Sequence, residues 1–342
     1  MPVMKLAPGP LRKSTADASF GPAAFTATGA GSRFTASVPV TVGPAVDRIG
    51  GADRYEVAVN ASKDGFAPGV QAVYVASGAV FPDALSAAPA AAKSGAPVLL
   101  TPADSLPAAV KAEIERLDPA SIVIVGGTSS VSAAVGTELG TIAPVTRLGG
   151  ADRFAASRAV AAAAFPSGAS TAVLATGRNF PDALSAGAAI GAAGPVILVD
   201  GAADGLDADT TALLTDLGVT SIVIAGGEAS VSPGIEADAQ QVAATVRLGG
   251  ADRYAASQAI NAHFFTAADR VLLATGANFP DALAGSALAP KVGGPLFTVP
   301  GTCVPAETLA QIAALGATRV TLLGGENSLS AAVESLTACA AG

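Results

Sequence analysis

Arginine and aspartate recur together in a block that reads Arg-(Ile/Leu)-Gly-Gly-Ala-Asp-Arg-(Tyr/Phe) and occurs three times in the chain. Arginine presents a planar fork of donors that suits carboxylate and phosphate groups. The arginines are therefore either partners of carboxylates at contacts between repeats or ligands of an anion, and the residue types leave both roles open. The candidate ligand residues of this block are Arg48, Asp53, Arg54, Arg147, Asp152, Arg153, Arg247, Asp252 and Arg253.

The glycine pair and the aspartate of the block also have a purely structural interpretation. Gly50 and Gly51 allow a sharp turn and a close approach of the backbone, and Asp53 can cap the free N–H groups at a helix start. The block returns about every 100 residues, which is the size of a small domain rather than of a solenoid repeat. We therefore expect tandem domains with repeated binding sites.

A second recurring motif reads Ala-(Ser/Thr)-Gly-x-x-Phe-Pro-Asp-Ala-Leu and begins at Ala76, Ala175 and Ala274. Its hydroxyl and carboxylate groups fall where a strand passes into a helix, at the edge where open α/β sheets bind ligands. Val80 stands in the first copy where the other two have asparagine, so we expect the first repeat to bind most weakly. The candidate ligand residues of this motif are Ser77, Asp83, Thr176, Asn179, Asp182, Thr275, Asn278 and Asp281.

The residues needed for common catalytic and cofactor sites do not recur in the same way. Glycine pairs begin at Gly126, Gly226 and Gly324, but no dinucleotide fingerprint or phosphate-loop lysine accompanies them. His263 is the only histidine, so a catalytic triad or a histidine-rich zinc site cannot be present in every repeat. We predict no catalytic residues, no metal and no cofactor.

Short apolar runs that alternate with alanine-rich stretches predict the elements that position these residues. In the first repeat the runs are residues 73–76, 98–100 and 122–125, and a further one follows at 145–148. Apolar runs without polar alternation are typical of strands buried on both faces, and the stretches between them are long enough for crossover helices. The pattern predicts an α/β fold with open, mostly parallel sheets.

Composition restricts the class of partner. The net charge is −8 and no basic run follows residue 13, so a nucleic-acid surface is not expected. The strongly apolar stretches are far shorter than the roughly 20 residues that span a bilayer, so we predict no membrane span. Residues 1–11 have no apolar segment of signal-peptide length, so the chain is either cytoplasmic or begins after its export signal.

The two cysteines, Cys303 and Cys339, both lie in the last repeat. We favour a disulfide between them over two buried free thiols, and a disulfide indicates a location outside the cytoplasm. Upstream of the repeats, apolar residues alternate from Phe34 to Val42 as in a half-buried strand.

The combination of motifs resembles the cell-wall-binding repeat 2 family. The arginine block, the Phe-Pro-Asp-Ala-Leu block, the Pro-Val-Leu-Leu segment at 97–100 and the Gly-Gly before Val-Ser recur in order over residues 46–342. The resemblance implies three tandem Toprim-like domains packed as a pseudo-threefold triangle, which hold exported bacterial proteins on anionic cell-wall polymers. It also places the arginine blocks near contacts between repeats. Toprim metal ligands are missing at the corresponding strand ends, and the third Pro-Val-Leu-Leu copy departs from the pattern, ending in Thr298.

We therefore predict repeats at 46–144, 145–244 and 245–342, preceded by a linker or upstream segment at 1–45. The predicted function is that of a noncatalytic, extracellular wall-anchoring module that binds an anionic glycopolymer. One alternative is a surface-layer or adhesin fragment whose main ligand is protein. Another is a glycan hydrolase that uses the recurring carboxylates.

Overall fold

The computed structural model describes residues 43–340 and, upstream, the backbone of strands β1 (Ala24–Gly29) and β2 (Ser32–Ser37). These two strands pair antiparallel. The strand expected from Phe34 to Val42 coincides with β2 as far as Ser37, and its remainder lies outside the described residues. The interpretation of residues 1–45 as a linker lies largely outside them as well.

From residue 45 onward, strands alternate with helices through three periods. The first contains β3 (Ala45–Ile49), α1 (Arg54–Gly65), β4 (Val73–Ser77), α2 (Pro82–Lys93), β5 (Val98–Thr101), α3 (Ala108–Leu117), β6 (Ile122–Val125) and α4 (Ala133–Leu139). The second contains β7 (Val145–Leu148), α5 (Arg153–Ala164), β8 (Thr171–Thr176), α6 (Pro181–Ile190), β9 (Val196–Val199), α7 (Ala208–Asp216), β10 (Ser221–Ala225) and α8 (Pro233–Val242). The third contains β11 (Ala244–Leu248), α9 (Arg253–Phe264), β12 (Arg270–Thr275), α10 (Pro280–Val292), β13 (Leu296–Val299), α11 (Ala306–Ala314), β14 (Arg319–Leu323) and α12 (Ala331–Glu334).

These strands form three parallel sheets of four strands each. The strand orders are β5-β4-β6-β7, β9-β8-β10-β11 and β13-β12-β14-β3, and we call the sheets with their helices unit 1, unit 2 and unit 3. Every residue of β4 and β5 is buried, as the uninterrupted apolar runs predicted. The predicted α/β class with open parallel sheets is confirmed.

Each sheet takes its outer strand from the start of the next sequence period. β7 completes unit 1, β11 completes unit 2, and β3, the first strand of the first period, completes unit 3. The predicted domain boundary at 144/145 falls just before β7, and the one at 244/245 falls after the first residue of β11. The sequence period and the sheets are therefore out of step by one strand. The three units consequently form a closed ring.

Residues of the recurring motifs begin the helices. Pro82 and its equivalents occupy the first turn of α2, α6 and α10, where the missing N–H of proline is not needed. Asp53 and its equivalents cap α1, α5 and α9, each accepting two backbone amides. Within the described residues, no helix has both the length and the apolar character required to cross a bilayer.

Three helices, α2, α6 and α10, pack against one another at the centre of the ring. The phenylalanines that precede them, Phe81, Phe180 and Phe279, form a triangle with centroid separations of 5.8, 5.9 and 5.8 Å. These tilted and edge-to-face contacts are a favourable geometry for aromatic rings. The near-equal separations confirm the predicted pseudo-threefold arrangement.

Side chains on β3 and α1 tie the first period to unit 3. Asp47 on β3 accepts hydrogen bonds from Arg319 and Thr321 on β14, at 2.5 and 2.7 Å. Arg270 at the start of β12 donates to Asp64 on α1 at 2.5 Å. The ring is thus closed by strand pairing and by ion pairs between residues more than 200 positions apart in sequence.

A disulfide fixes the end of unit 3. Cys303 and Cys339 are bonded, with Cα atoms 4.9 Å apart, and an adjacent bridge pairs Val304 with Ala338. Units 1 and 2 have α4 and α8 in this region, whereas unit 3 has only the four residues of α12. The disulfide therefore holds a segment that has little helix of its own.

Buried serine pairs join neighbouring units at two of the three junctions. Ser86 on α2 donates to Ser157 on α5 at 2.8 Å, and a second pair joins α6 to α9 at 2.9 Å. Buried alanines, Ala58 and Ala284, occupy the equivalent positions at the third junction. Ser157 also accepts the backbone N–H of Leu198 in β9, so its hydroxyl serves both the junction and the sheet.

Ser157→Ala should lower the free energy of unfolding more than Ser86→Ala. The first change leaves the buried N–H of Leu198 without a partner, which costs about 1–3 kcal/mol, whereas the second removes one hydroxyl hydrogen bond, worth about 0.5–1.5 kcal/mol. Chemical denaturation of both variants measures the difference. Equal losses in the two variants would contradict the role assigned to the Leu198 amide.

Candidate functional site

Two grooves open at the carboxyl ends of the sheet strands, each at a junction between units. Groove 1, between units 1 and 2, has a volume of about 490 Å³. It is bordered by the start of α2, the Gly-Gly loop after β6 and the start of α5. Its lining residues include Val80, Phe81, Pro82, Asp83, Gly127, Ser129, Ser130, Gly150, Ala151, Asp152, Arg153 and Phe279.

Groove 2 repeats this construction between units 2 and 3, with a volume of about 230 Å³. The start of α6, the Gly-Gly loop after β10 and the start of α9 border it. Its lining residues include Asn179, Pro181, Asp182, Gly227, Ser230, Gly250, Asp252 and Arg253. Each groove is thus lined by three recurring motifs. Two of them, the Phe-Pro-Asp turn and the Gly-Gly loop, come from one unit, and the third is the arginine block that follows in the sequence.

An aspartate lies at the base of each junction, half-buried as Asp83 and buried as Asp182 and Asp281. Asp182 and Asp281 are only 7% and 8% exposed. Burial raises the pKa of Asp182 above its ordinary value of 3.8, and Ser230 and Arg253 nearby oppose that rise only in part. Asp83 and Asp281 have pKa values raised for the same reason. All three carboxyl groups therefore lie in surroundings that disfavour their charged form.

The first glycine of each Gly-Gly pair makes room for this aspartate. A Cβ atom on Gly126 would collide with Oδ2 of Asp83, and Gly226 and Gly324 stand in the same relation to Asp182 and Asp281. These glycines also have φ angles of +109°, +111° and +104°, which disfavour a side chain. The structure therefore explains the third recurring motif as a requirement of the junction rather than as a phosphate loop.

The second arginine of each block spans two units. Arg153 donates to the carbonyl oxygen of Gly177 at 2.7 Å, and its guanidinium lies 5.9 Å from the centroid of Phe81 in the preceding unit. Arg54 and Arg253 make the same pair of contacts with their equivalents. These arginines are exposed at the groove side of the ring, so part of each guanidinium remains available to a ligand.

The first arginine of each block lies deeper. Arg147 donates to the carbonyl oxygens of Gly126 and Gly127 at 3.0 and 3.1 Å, and Arg48 and Arg247 reach the equivalent loops. Arg48 and Arg247 also bind glutamate carboxylates and have side chains only 16% and 15% exposed. These residues hold the Gly-Gly loops in place, which is a structural contribution to the grooves.

The remaining predicted residues divide between groove surface and interior. Ser77, Thr176 and Thr275 are buried and accept the backbone N–H two residues further on, so they shape the turn below the groove. Asp152 and Asp252 line the grooves while capping helices.

Val80 lines groove 1 and Asn179 lines groove 2, while Asn278 has the equivalent position in unit 3. Asn179 and Asn278 are exposed, and neither amide hydrogen-bonds to another side chain or backbone group within residues 43–340. Val80, at the equivalent position in groove 1, is 45% exposed.

Sequence reasoning missed the serines that face the buried aspartates. Ser130, Ser230 and Ser328 each follow the first glycine of a Gly-Gly pair by four residues. This fixed spacing was a usable signal. It acquires a meaning only when the fold places the loop against the Phe-Pro-Asp turn.

Asp182→Asn should gain stability relative to the parent as the pH rises from below 3.8 to neutral. The folded pKa is raised, so the contribution of Asp182 is fully favourable below its unfolded pKa and is lost as the pH passes through the folded value. Chemical denaturation across this range measures the effect, with Asp104→Asn at an exposed loop position as control. A pH-independent difference between Asp182→Asn and the parent would contradict the prediction.

The chain is similar to known proteins from Bacillus subtilis and Clostridium difficile. Two relatives from Bacillus subtilis (strain 168) are each 30% identical to it. The N-acetylmuramoyl-L-alanine amidase LytC matches over 247 residues, 72% of this chain and 48% of the relative. The Amidase enhancer matches over 290 residues, 84% of this chain and 39% of the relative. The chain therefore spans half or less of the length of these relatives.

Two solved structures from Clostridium difficile share the fold. Cwp6 superposes with a TM-score of 0.79 at 26% identity, over 92% of this chain and 51% of Cwp6. Cwp8 superposes with a TM-score of 0.77 at 28% identity, over 85% of this chain and 51% of Cwp8.

The family described as cell wall binding domain 2 (CWB2) matches three segments, residues 48–136, 147–236 and 247–334. Each segment begins at the first arginine of a block and ends in α4, α8 or α12. The matched segments make up most of the described chain and contain the residues that border both grooves. The chain belongs to the cell wall binding domain 2 family, with three tandem copies of the domain closed into one ring.

Proposed function

We propose that the ring is a noncatalytic module that binds an anionic wall glycopolymer and retains the protein that carries it on the bacterial surface. The observation that carries the proposal is the repetition of one groove at successive unit junctions, in a chain made of three cell-wall-binding domains. A polymer is itself a repeat, so one chain of it can present the same chemical group to equivalent grooves.

The polar groups of the grooves suit a polyhydroxylated ligand. Asp152 in groove 1 and Asp252 in groove 2 can accept hydrogen bonds from sugar hydroxyls, and Asn179 offers both a donor and an acceptor. The glycine backbones at Gly127 and Gly227 permit a close approach. The grooves have no indole stacking platform, because the chain lacks tryptophan.

The anionic character of the ligand is supported by the exposed arginines. Arg153 and Arg253 line the two grooves and are exposed, although Asp83 and Asp182 in the same grooves offset part of their charge. The net charge of −8 opposes a general attraction to a polyanion. Any attraction must therefore be local and sensitive to salt, because exposed charges are screened over about 8–10 Å at physiological ionic strength.

Multivalency explains how modest grooves can retain a protein on a wall. The units are joined into one ring, so a polymer bound in one groove is presented to the next at a high effective concentration. The overall affinity can then exceed that of a single groove by about 10²–10⁴ if the polymer reaches both.

Binding to purified cell walls, before and after chemical removal of their secondary polymers, tests the proposal. We expect binding to be lost with the polymers. Retained binding would instead favour a protein ligand or the peptidoglycan itself, and release of soluble sugar would indicate hydrolysis.

The double variant Asn179→Val/Asn278→Val should bind walls more weakly than the parent. Each lost hydrogen bond is worth about 0.5–1.5 kcal/mol, and valine at this position is compatible with the fold because Val80 occupies it in unit 1. Thr215→Val, an exposed change on α7, serves as the matched control. If the double variant binds walls as tightly as the parent, these asparagines are not part of the binding site.

A further inference from the structure

The first arginines of the three blocks are equivalent in position but differ in their acidic partners. In unit 2, Nε and Nη2 of Arg247 both lie 2.9 Å from Oε2 of Glu236 on α8. In unit 3, Nη2 of Arg48 lies 2.9 Å from Oε2 of Glu334 on α12. A carboxylate therefore covers the outer edge of the guanidinium in both units.

Unit 1 lacks this carboxylate. Gly136 on α4 stands where the other two units have glutamate, and Arg147 makes no ion pair within residues 43–340. Its hydrogen bonds there go to the backbone carbonyl oxygens of Gly126, Gly127 and Ser132, and its Nε has no partner. Arg147 is thus a half-buried cation that is held in a fixed orientation without a counter-charge.

The space beside Arg147 has the dimensions of the missing side chain. A Cβ atom on Gly136 would lie 3.3 Å from Nη2 of Arg147 and 3.5 Å from Cδ1 of Ile124. The helix position therefore directly borders the guanidinium edge that is covered in unit 2.

We propose that Arg147 and the space beside Gly136 form a binding site for an oxyanion, a phosphate or carboxylate group, in the place that a glutamate carboxylate occupies in units 2 and 3. The guanidinium presents Nε and Nη2 on one edge, which matches two oxygens of such a group. Burial lowers the pKa of Arg147, consistent with a charge that is desolvated and has no opposite charge beside it.

The site adjoins groove 1. Gly127, whose carbonyl oxygen binds Arg147, lines that groove on its other side. An anionic substituent of a polymer in groove 1 and a free anion would present the same oxygens to Arg147. Only the first source rests on the proposed function, because a free anion needs no wall polymer.

The first arm of the test uses inorganic phosphate as the probe. The Nε–H resonance of Arg147 should shift and saturate on titration of phosphate at constant ionic strength in the intact chain. Gly136→Glu supplies the missing carboxylate and should weaken this binding by about tenfold or more, the equivalent of one charge-assisted contact. Gly136→Ala is the matched control, because it leaves the space beside Nε open and should keep the response.

Glu236→Ala provides the converse experiment in unit 2. Removing this carboxylate should give Arg247 a phosphate response that the parent lacks. This gain does not depend on whether any variant of unit 1 is well folded.

The second arm compares the binding of purified walls by Gly136→Glu and Gly136→Ala. Weaker binding by Gly136→Glu alone assigns the anion to the polymer, whereas equal binding with a lost phosphate response assigns it to a free anion. The proposal is overturned if Arg147 does not respond to phosphate in the parent and the two variants bind walls equally. A parent that binds no walls contradicts the proposed function, and the phosphate titration is then the measurement that decides the site.

Discussion

Pairing of the first strand with the last sheet, β3 with β14, is the constraint on which the arrangement of the three units depends. It gives unit 3 the same four parallel strands as units 1 and 2 and brings α1 against α10, with Asp64 beside Arg270. Helices then pack across all three junctions, α2 with α5, α6 with α9 and α10 with α1, although the chain crosses only two of these junctions. The pairing has a high cost in chain entropy, because it closes a loop of more than 260 residues, but that cost grows only with the logarithm of loop length.

The junctions combine rigid and polar parts that support one another. The half-buried carboxylate of Asp83 requires a glycine at 126, the Gly126 loop requires Arg147 to bind its carbonyl oxygens, and Arg153 reaches across to Phe81. A change at any of these positions therefore affects both the packing of the units and the shape of the groove. Unit 1 differs from the other two units on the surface of groove 1, where Val80 stands in place of asparagine, and beside Arg147, where Gly136 stands in place of glutamate. Such differences let three copies of one construction present different surfaces to a ligand.

Much of the fold could be predicted from the sequence because its signals are local. Buried runs such as Ile122–Val125 indicated strands, and Pro82 and Asp53 indicated helix starts. The sequence could not show which sheet each outer strand joins. β7 lies between two units in the sequence, and packing decides which sheet it pairs with. The sequence placed the candidate residues at the strand-to-helix edge, where the grooves lie, but it could not show that Ser77 turns inward or that Arg48 and Arg147 differ in their neighbours. Those distinctions depend on residues far away in the chain, such as Glu334.

Strand β3 also determines how the ring would bear mechanical load. The grooves lie at the carboxyl ends of the strands, whereas the chain enters β3 at its amino end. If the grooves bind the wall as proposed, tension between the wall and the residues upstream runs along the strand. Parallel ladder bonds between β3 and β14 then share the force and must break together rather than one after another. The ion pair of Asp47 with Arg319 resists the same displacement. A strand that completes a sheet in the folded state would thus serve as a shear clamp when the protein is pulled.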